Sequence, residues 1–217
     1  AADWLCQATL PSATMSILGG VAMAKSVAVV LFEGVEELDF VGPWEVFTMA
    51  GLVTRGDVTA FTVAERAGLV KCAKGLQVVA EFAFEDCPKA DIVLVPGGLA
   101  TRVEVDNPEM IAFLSKMDAR AEYTTSVCTG ALLLERAGIL NGLRATTHWG
   151  SISELKATGT ETIENTRFVD NGRVITSSGV SAGIDMSLHL VGKIWGAEVA
   201  KATQKYMEYY PEPPAWD

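Results

Sequence analysis

The stretch TTSVCTGALLLERAGIL, residues 124–140, decides the fold. Its first residues are short and suit a strand, the chain turns at Val127-Cys128-Thr129-Gly130, and a strongly apolar helix begins at Ala131. Gly138 ends that helix, since the left-handed residue that closes many helices is usually a glycine. A cysteine at a strand-to-helix turn, followed closely by glycine, is what a nucleophile elbow needs. The turn lifts the sulfur above the carboxyl edge of a sheet, and glycine lets the backbone pass close behind it. Free N–H groups at the new helix's N-terminus favour negative charge, so the thiol is expected to ionise more easily than a free one. Cys128 is therefore read as a catalytic nucleophile. The bland alternative, a small buried hydrophobe, is the usual fate of a free cysteine; the turn weighs against it.

Working outward, strand-like and helical runs alternate. SVAVVLF (26–32) reads as a buried parallel strand, DVTAFTVA (57–64) and LQVVA (76–80) as further strands, and the run DIVLV (91–95) empties into Pro96-Gly97-Gly98. GVEELDFVGPWEVF (34–47) is an acidic loop leading into an amphipathic helix with Pro43 near its start. Another helix is predicted from Pro108 to Arg120. Arg144–Thr147 reads as a strand that ends at His148-Trp149 and a short helix, and 158–166 as a polar loop. FVDNGRVIT (168–176) carries Asn171-Gly172 between two β runs, a hairpin signal. Helices near 180–194 and 196–208 close the domain. The alternation predicts an α/β fold, a mostly parallel sheet with helices on both faces. In such sheets the site lies at the carboxyl ends of the strands.

The 217 residues suit one domain, read as 25–217, without an internal repeat or linker. Residues 1–24 lack lysine and arginine, so they fit neither a secretory signal nor a transit peptide. They read as an extension without evident function, or as sequence upstream of a start at Met15 or Met23. A net charge of −10 without a basic cluster argues against nucleic acid, and no apolar run is long enough to span a membrane. Four cysteines, at 6, 72, 87 and 128, show no C-x-x-C pair and no metal-type spacing with the two histidines. No metal is expected, a reducing cytoplasmic setting is, and Cys72 and Cys87 are expected not to pair.

Asp39, inside Leu38-Asp39-Phe40-Val41, has two readings. It is a helix N-cap, or it is a desolvated carboxyl that keeps its proton beside a sulfur and acts as acid, then base. Gly97 and Gly98 form a turn whose backbone can approach a ligand; facing Cys128, the N–H groups of Gly98 and Thr129 would stabilise developing negative charge. His148 and Trp149, with Gly97, are candidates for a substrate pocket, although a histidine at a strand end is more often structural. His189, midway along an apolar helix, is structural or on the surface.

LDFVGPWEVF, VPGG, TSVCTGALLLERAGILNGLRATTHW, SSGVSAGID and EYYPEPP resemble, in order, segments of the ThiJ/PfpI superfamily, and within it the isonitrile (isocyanide) hydratases. The resemblance implies a flavodoxin-like sandwich, a homodimer, Cys128 as nucleophile, Asp39 as its acid, His148 near the sulfur, and Gly98 and Thr129 as backbone donors. Peptidase-like and deglycase-like members often carry histidine directly after the nucleophile, whereas this chain has Thr129. The implied reaction is cysteine-dependent hydration of a small isonitrile to a formamide through a covalent thioimidate, without a cofactor. Two alternatives remain: a glyoxalase- or deglycase-like enzyme assisted by His148, and a ligand- or redox-sensing module. The latter is similar to the amidase-like domain of AraC-type regulators, whose helix-turn-helix module is not read here.

Overall fold

The computed structural model describes residues 24–211. The extension read at 1–24 lies, except for Ala24, outside the described residues. Eleven strands are described: β1 Lys25–Val30, β2 Val58–Ala64, β3 Gly68–Lys71, β4 Gln77–Ala80, β5 Phe82–Ala83, β6 Ile92–Val95, β7 Tyr123–Val127, β8 Arg144–Ala145, β9 Glu161–Thr162, β10 Phe168–Asp170 and β11 Val174–Ser177. The helices are α1 Glu37–Val53, α2 Thr101–Glu104, α3 Pro108–Asp118, α4 Gly130–Arg136, α5 Ile152–Ala157, α6 Ala182–Trp195 and α7 Ala197–Tyr206.

The main sheet has the order β10-β11-β7-β6-β1-β2-β5, and within it only β10 runs antiparallel to its neighbour. Its central strands β2-β1-β6-β7-β11 follow the flavodoxin-like order 2-1-3-4-5. The run read as a buried parallel strand, 26–32, is the central β1, and the 91–95 run is its neighbour β6. Val27 to Val30 and Ile92 to Val95 are buried throughout, because α1, α6 and α7 pack together on one face while α2, α3 and α4 cover the other. Asn171-Gly172 does form the β10–β11 turn, with Asn171 N–H donating to Val174 O at 3.0 Å. Three local readings are corrected. α1 is not amphipathic: Phe40, Val46 and Phe47 point inward, yet Leu38 and Val41 stand 37% exposed on the outside. The polar loop at 158–166 contains β9, paired in parallel with β8. The β3–β4 hairpin spans 68–80, of which only the second strand was read from the sequence.

Two close approaches fix the carboxyl edge. Gly183 at the start of α6 sits where a Cβ would meet Val127 Cγ2 at 2.9 Å and Pro43 Cγ at 3.0 Å. Gly130, the first residue of α4, passes so near the end of β6 that a Cβ would lie 2.2 Å from Val95 O and 2.9 Å from Pro96 O. Both of the latter are backbone atoms of buried segments, which cannot move aside as a side-chain tip could. Gly130→Ala is therefore expected to destabilise the protein by at least about 2 kcal/mol, as overpacking of a tight interior does. Urea denaturation measures this; a midpoint equal to wild type would show that the elbow tolerates a methyl group.

Candidate active site

Three adjacent strands deliver the site. β1 runs out through Leu31–Glu36 into α1 with Asp39 in its first turn, β6 runs into Pro96-Gly97-Gly98, and β7 runs into Cys128. Because β1, β6 and β7 are neighbours in register, residues 39, 97–98 and 128 meet at one edge. The alternating pattern predicts that the Gly97-Gly98 loop, Cys128 and His148 meet at this edge; the structure brings Gly97, Gly98 and Cys128 together with Asp39 and Thr129, while the His148 ring is turned to Gly150 and Gly179.

Cys128 adopts φ 57°, a left-handed conformation that a non-glycine residue holds only at a cost of about 1–3 kcal/mol and only when its surroundings enforce it. The enforcing bonds are visible. Its N–H donates to Ser178 O at 2.9 Å and Ser177 O at 3.2 Å, and its carbonyl accepts from Thr147 Oγ1 at 2.8 Å. The sequence reading missed Thr147 and Ser178, although both lie inside segments that carried the resemblance. The residue is only 6% exposed.

Asp39 is fully buried at 0% exposure. The helix starts at Glu37 with Glu36 as its N-cap, so Asp39 does not cap it. Its Oδ2 accepts the Gly97 N–H at 2.9 Å, while Oδ1 has no hydrogen bond of regular geometry. Gly97 therefore holds the acid. A Cβ there would fall 2.5 Å from Thr129 N and 2.9 Å from Asp39 Oδ2. Burial pushes the Asp39 carboxyl up to about 7, opposed by the Gly97 N–H and by the neighbouring Cys128 thiol. Glu36 raises it further and Lys74 lowers it. These two residues are ion-paired to each other, and Lys74 N–H donates to Glu37 Oε1 at 2.6 Å, so the β3–β4 turn is strapped to the first turn of α1.

The sulfur faces the carboxyl. Burial first, then the charge of Asp39, push the Cys128 thiol up to about 12. The Thr129 N–H and hydroxyl pull the other way and do not offset this. The expected easing of ionisation at the start of α4 is thus overturned: loss of hydration outweighs the helix terminus. The Thr129 hydroxyl accepts from Gly98 N–H at 2.9 Å and donates to Gly98 O at 3.0 Å. Gly98 N–H is consequently engaged in this arrangement, and Thr129 N–H is the backbone donor directed at the sulfur.

His148 caps a short 3-10 helix at 149–151, accepting Gly150 N–H on Nδ1 at 3.1 Å, with its ring against Gly179. Trp149 is 82% exposed. His189 bonds Asp170 at 2.8 Å, far from the elbow at the other end of β10 and β11. Cys72 and Cys87 are free thiols, as expected. Among the described residues, no three of His, Cys, Asp and Glu converge as metal ligands, and no helix is long and apolar enough to cross a membrane.

The Asp39 carboxyl titrates near 3.8 as a model compound and at about 7 in the fold. The folded state holds that proton more tightly, so the stability it contributes is lost as pH rises from about 4 through 7. An asparagine does not titrate. Asp39→Asn is expected to raise the melting temperature, relative to wild type, by about 5 °C more at pH 8 than at pH 4. Thermal denaturation followed by circular dichroism at the two pH values decides it; an equal difference at both would mean that Asp39 is ionised at no cost.

Residues 25–193 match the model of the DJ-1/PfpI family. The chain is 37% identical over 192 residues to an isonitrile hydratase of Pseudomonas putida, covering 88% of this chain and 82% of that one. It is 32% identical over 142 residues to an HTH-type transcriptional regulator of Pseudomonas aeruginosa, covering 64% of this chain and 38% of the regulator. A ThiJ/PfpI family protein from Pseudomonas syringae superposes with a TM-score of 0.86 at 31% identity, over 96% of this chain and 85% of that one. With the elbow cysteine, the parallel sheet and a match over most of its length, the chain belongs to the DJ-1/PfpI family.

Proposed function

We propose that the protein is a cytoplasmic isonitrile hydratase, with Cys128 as nucleophile and Asp39 as general acid and base. The observation that carries this reading is the buried, singly bonded Asp39 carboxyl facing the Cys128 thiol at the elbow. The 37% identity to an isonitrile hydratase supports the choice of substrate. Free thiols at Cys72, Cys87 and Cys128 suit a reducing compartment.

The chemistry follows from where protons sit. With Asp39 at about 7 and Cys128 at about 12, the pair near neutral pH holds its last proton on sulfur, beside a carboxylate. As sulfur attacks the terminal carbon of R–N≡C, Asp39 takes the thiol proton and delivers it to that carbon, giving a thioimidate, R–N=CH–S–Cys128. Asp39, again a carboxylate, then takes a proton from a water as the water oxygen adds to the same carbon, and passes that proton to the nitrogen, giving R–NH–CH(OH)–S–Cys128. Collapse breaks the C–S bond, returns a proton to sulfur and releases R–NH–CHO. One water is consumed and no electron pair leaves the system, so one carboxyl suffices. Thr129 N–H, directed at sulfur, supports the negative charge that sulfur carries as it leaves.

A deglycase-like reading would use His148 as base, but its Nδ1 is spent on Gly150 and its ring packs on Gly179. Exposed Leu38 and Val41 on α1, with Leu99 85% exposed beside Gly98, form an apolar rim around the site that suits a second copy of the chain. Light scattering tests the homodimer: the wild type is expected at twice the chain mass and Leu38→Glu/Val41→Glu at the chain mass.

Cys128→Ala and Asp39→Asn are each expected to lower formamide production from cyclohexyl isocyanide by at least about a thousand-fold. The wild-type kcat/KM should rise with pH through about 7 and then stay level to pH 10. Below 7 both groups carry protons and nothing accepts the one on sulfur. Turnover of methylglyoxal without turnover of the isonitrile, or activity in either variant, would overturn the assignment.

A further inference from the structure

A cleft of about 660 Å³ opens beside the elbow, between the loop after β8, the loop before β10 and the loop after β11. Its walls include Thr147 and Ser178, the two residues hydrogen-bonded to the Cys128 backbone, so the cleft adjoins the elbow. Trp149 offers an exposed aromatic face to the same space. The size suits a small organic group.

Arg167 is the only arginine among the residues lining the cleft, and its side chain is held at the start of α6. Its carbonyl accepts Ser178 N–H at 2.9 Å. Its Nε donates to Asp185 Oδ2 at 2.6 Å and its Nη2 to Ser181 Oγ at 3.1 Å. Asp185 is fixed in turn by the Tyr209 hydroxyl, which donates to Oδ1 at 2.9 Å. Ser181 and Asp185 of SSGVSAGID and Tyr209, from another segment that carried the resemblance, thus gather around one arginine. A guanidinium has five N–H donors. Asp185 and Ser181 take two and the nearby Tyr209 at most one more, which leaves at least two for a ligand. The charge of Arg167 is matched by Asp185, Glu164 in the cleft wall is paired with Lys156, and the chain carries −10 overall. Arg167 therefore acts as a directional donor at short range and does not draw in anions from afar.

We infer that this cleft seats the substituent of the isonitrile, and that Arg167 selects substituents bearing a carbonyl or carboxylate oxygen; this rests on the hydratase reading. The end that reacts is a thin, linear group, which suits a sulfur as enclosed as that of Cys128, while the substituent remains in the wider space.

The test compares ethyl isocyanoacetate with n-pentyl isocyanide, both neutral and similar in length. The ratio of their kcat/KM values, ester over alkyl, is expected to fall about 10-fold or more in Arg167→Met, as loss of a hydrogen bond to a charged group implies. Tyr209→Phe, which removes one hydroxyl and loosens Asp185, should lower the ratio about 2- to 10-fold, and it decides the matter if Arg167→Met does not fold. An unchanged ratio in the folded variants overturns this inference alone. If the wild type hydrates neither isonitrile, the reaction assignment is wrong and the inference falls with it.

Discussion

A carboxyl group with one hydrogen bond, buried against a thiol, is the constraint on which the rest of this molecule depends. Neither group would choose that place. Withdrawing each from water raises its proton affinity, and the charge of Asp39 raises that of the thiol further. What keeps them there is the sheet. β1, β6 and β7 are adjacent and in register, and each ends in a segment whose backbone is bonded to the next: Glu36 N–H to Gly97 O at 2.9 Å, Gly97 N–H to Asp39, and Gly98 to the Thr129 hydroxyl. The energy that holds two reluctant groups together comes from the buried strands beneath them, where apolar side chains fill both faces.

Glycine has a specific part in this. Gly97 and Gly130 stand where a methyl group would collide with backbone, and each collision would separate the β6 loop from the elbow. Closeness at the reacting centre is thus obtained by removing side chains, whereas strain is accepted at Cys128, which keeps its φ of 57° because both its N–H and its carbonyl are bonded to neighbouring segments. The strain is local and the bonds that resist it are tertiary, which is why the elbow exists only in the folded chain.

That difference also explains what was legible in the sequence. Buried parallel strands and a strand–Cys–x–Gly–helix turn are written in contiguous residues, so the fold and the cysteine at the elbow could be read directly. Asp39 could be singled out as an acid among apolar residues, but whether it capped the helix or faced the sulfur depended on where α1 began, three residues earlier than a cap at Asp39 allows. The roles of Gly97 as holder of the acid, of Thr147 and Ser178 as anchors of the elbow, and of His148 as a cap on Gly150 arise from segments brought together by the sheet, and no local pattern announces them. α1 misled because an apolar outer face breaks the amphipathic rule. The β3–β4 hairpin was half missed because GLVK is a short run with only one buried residue, Val70.

Most instructive is the reversed sign at Cys128. A helix terminus favours a thiolate, but it acts on a charge that has first to leave water, and at 6% exposure that loss dominates. The reversal bears on what kind of cysteine this is. A sensor thiol needs a standing population of thiolate open to oxidant, and a site that keeps the proton on sulfur supplies neither charge nor access. A nucleophile next to a base needs no such population. The proton has only to move to Asp39 as the new bond forms, and the same burial that suppresses free thiolate raises the carboxylate's affinity for that proton. In the proposed reaction the two upward shifts, each unfavourable for its own group, are therefore matched: one would keep sulfur from reacting without a partner, and the other would ready the partner to take its proton.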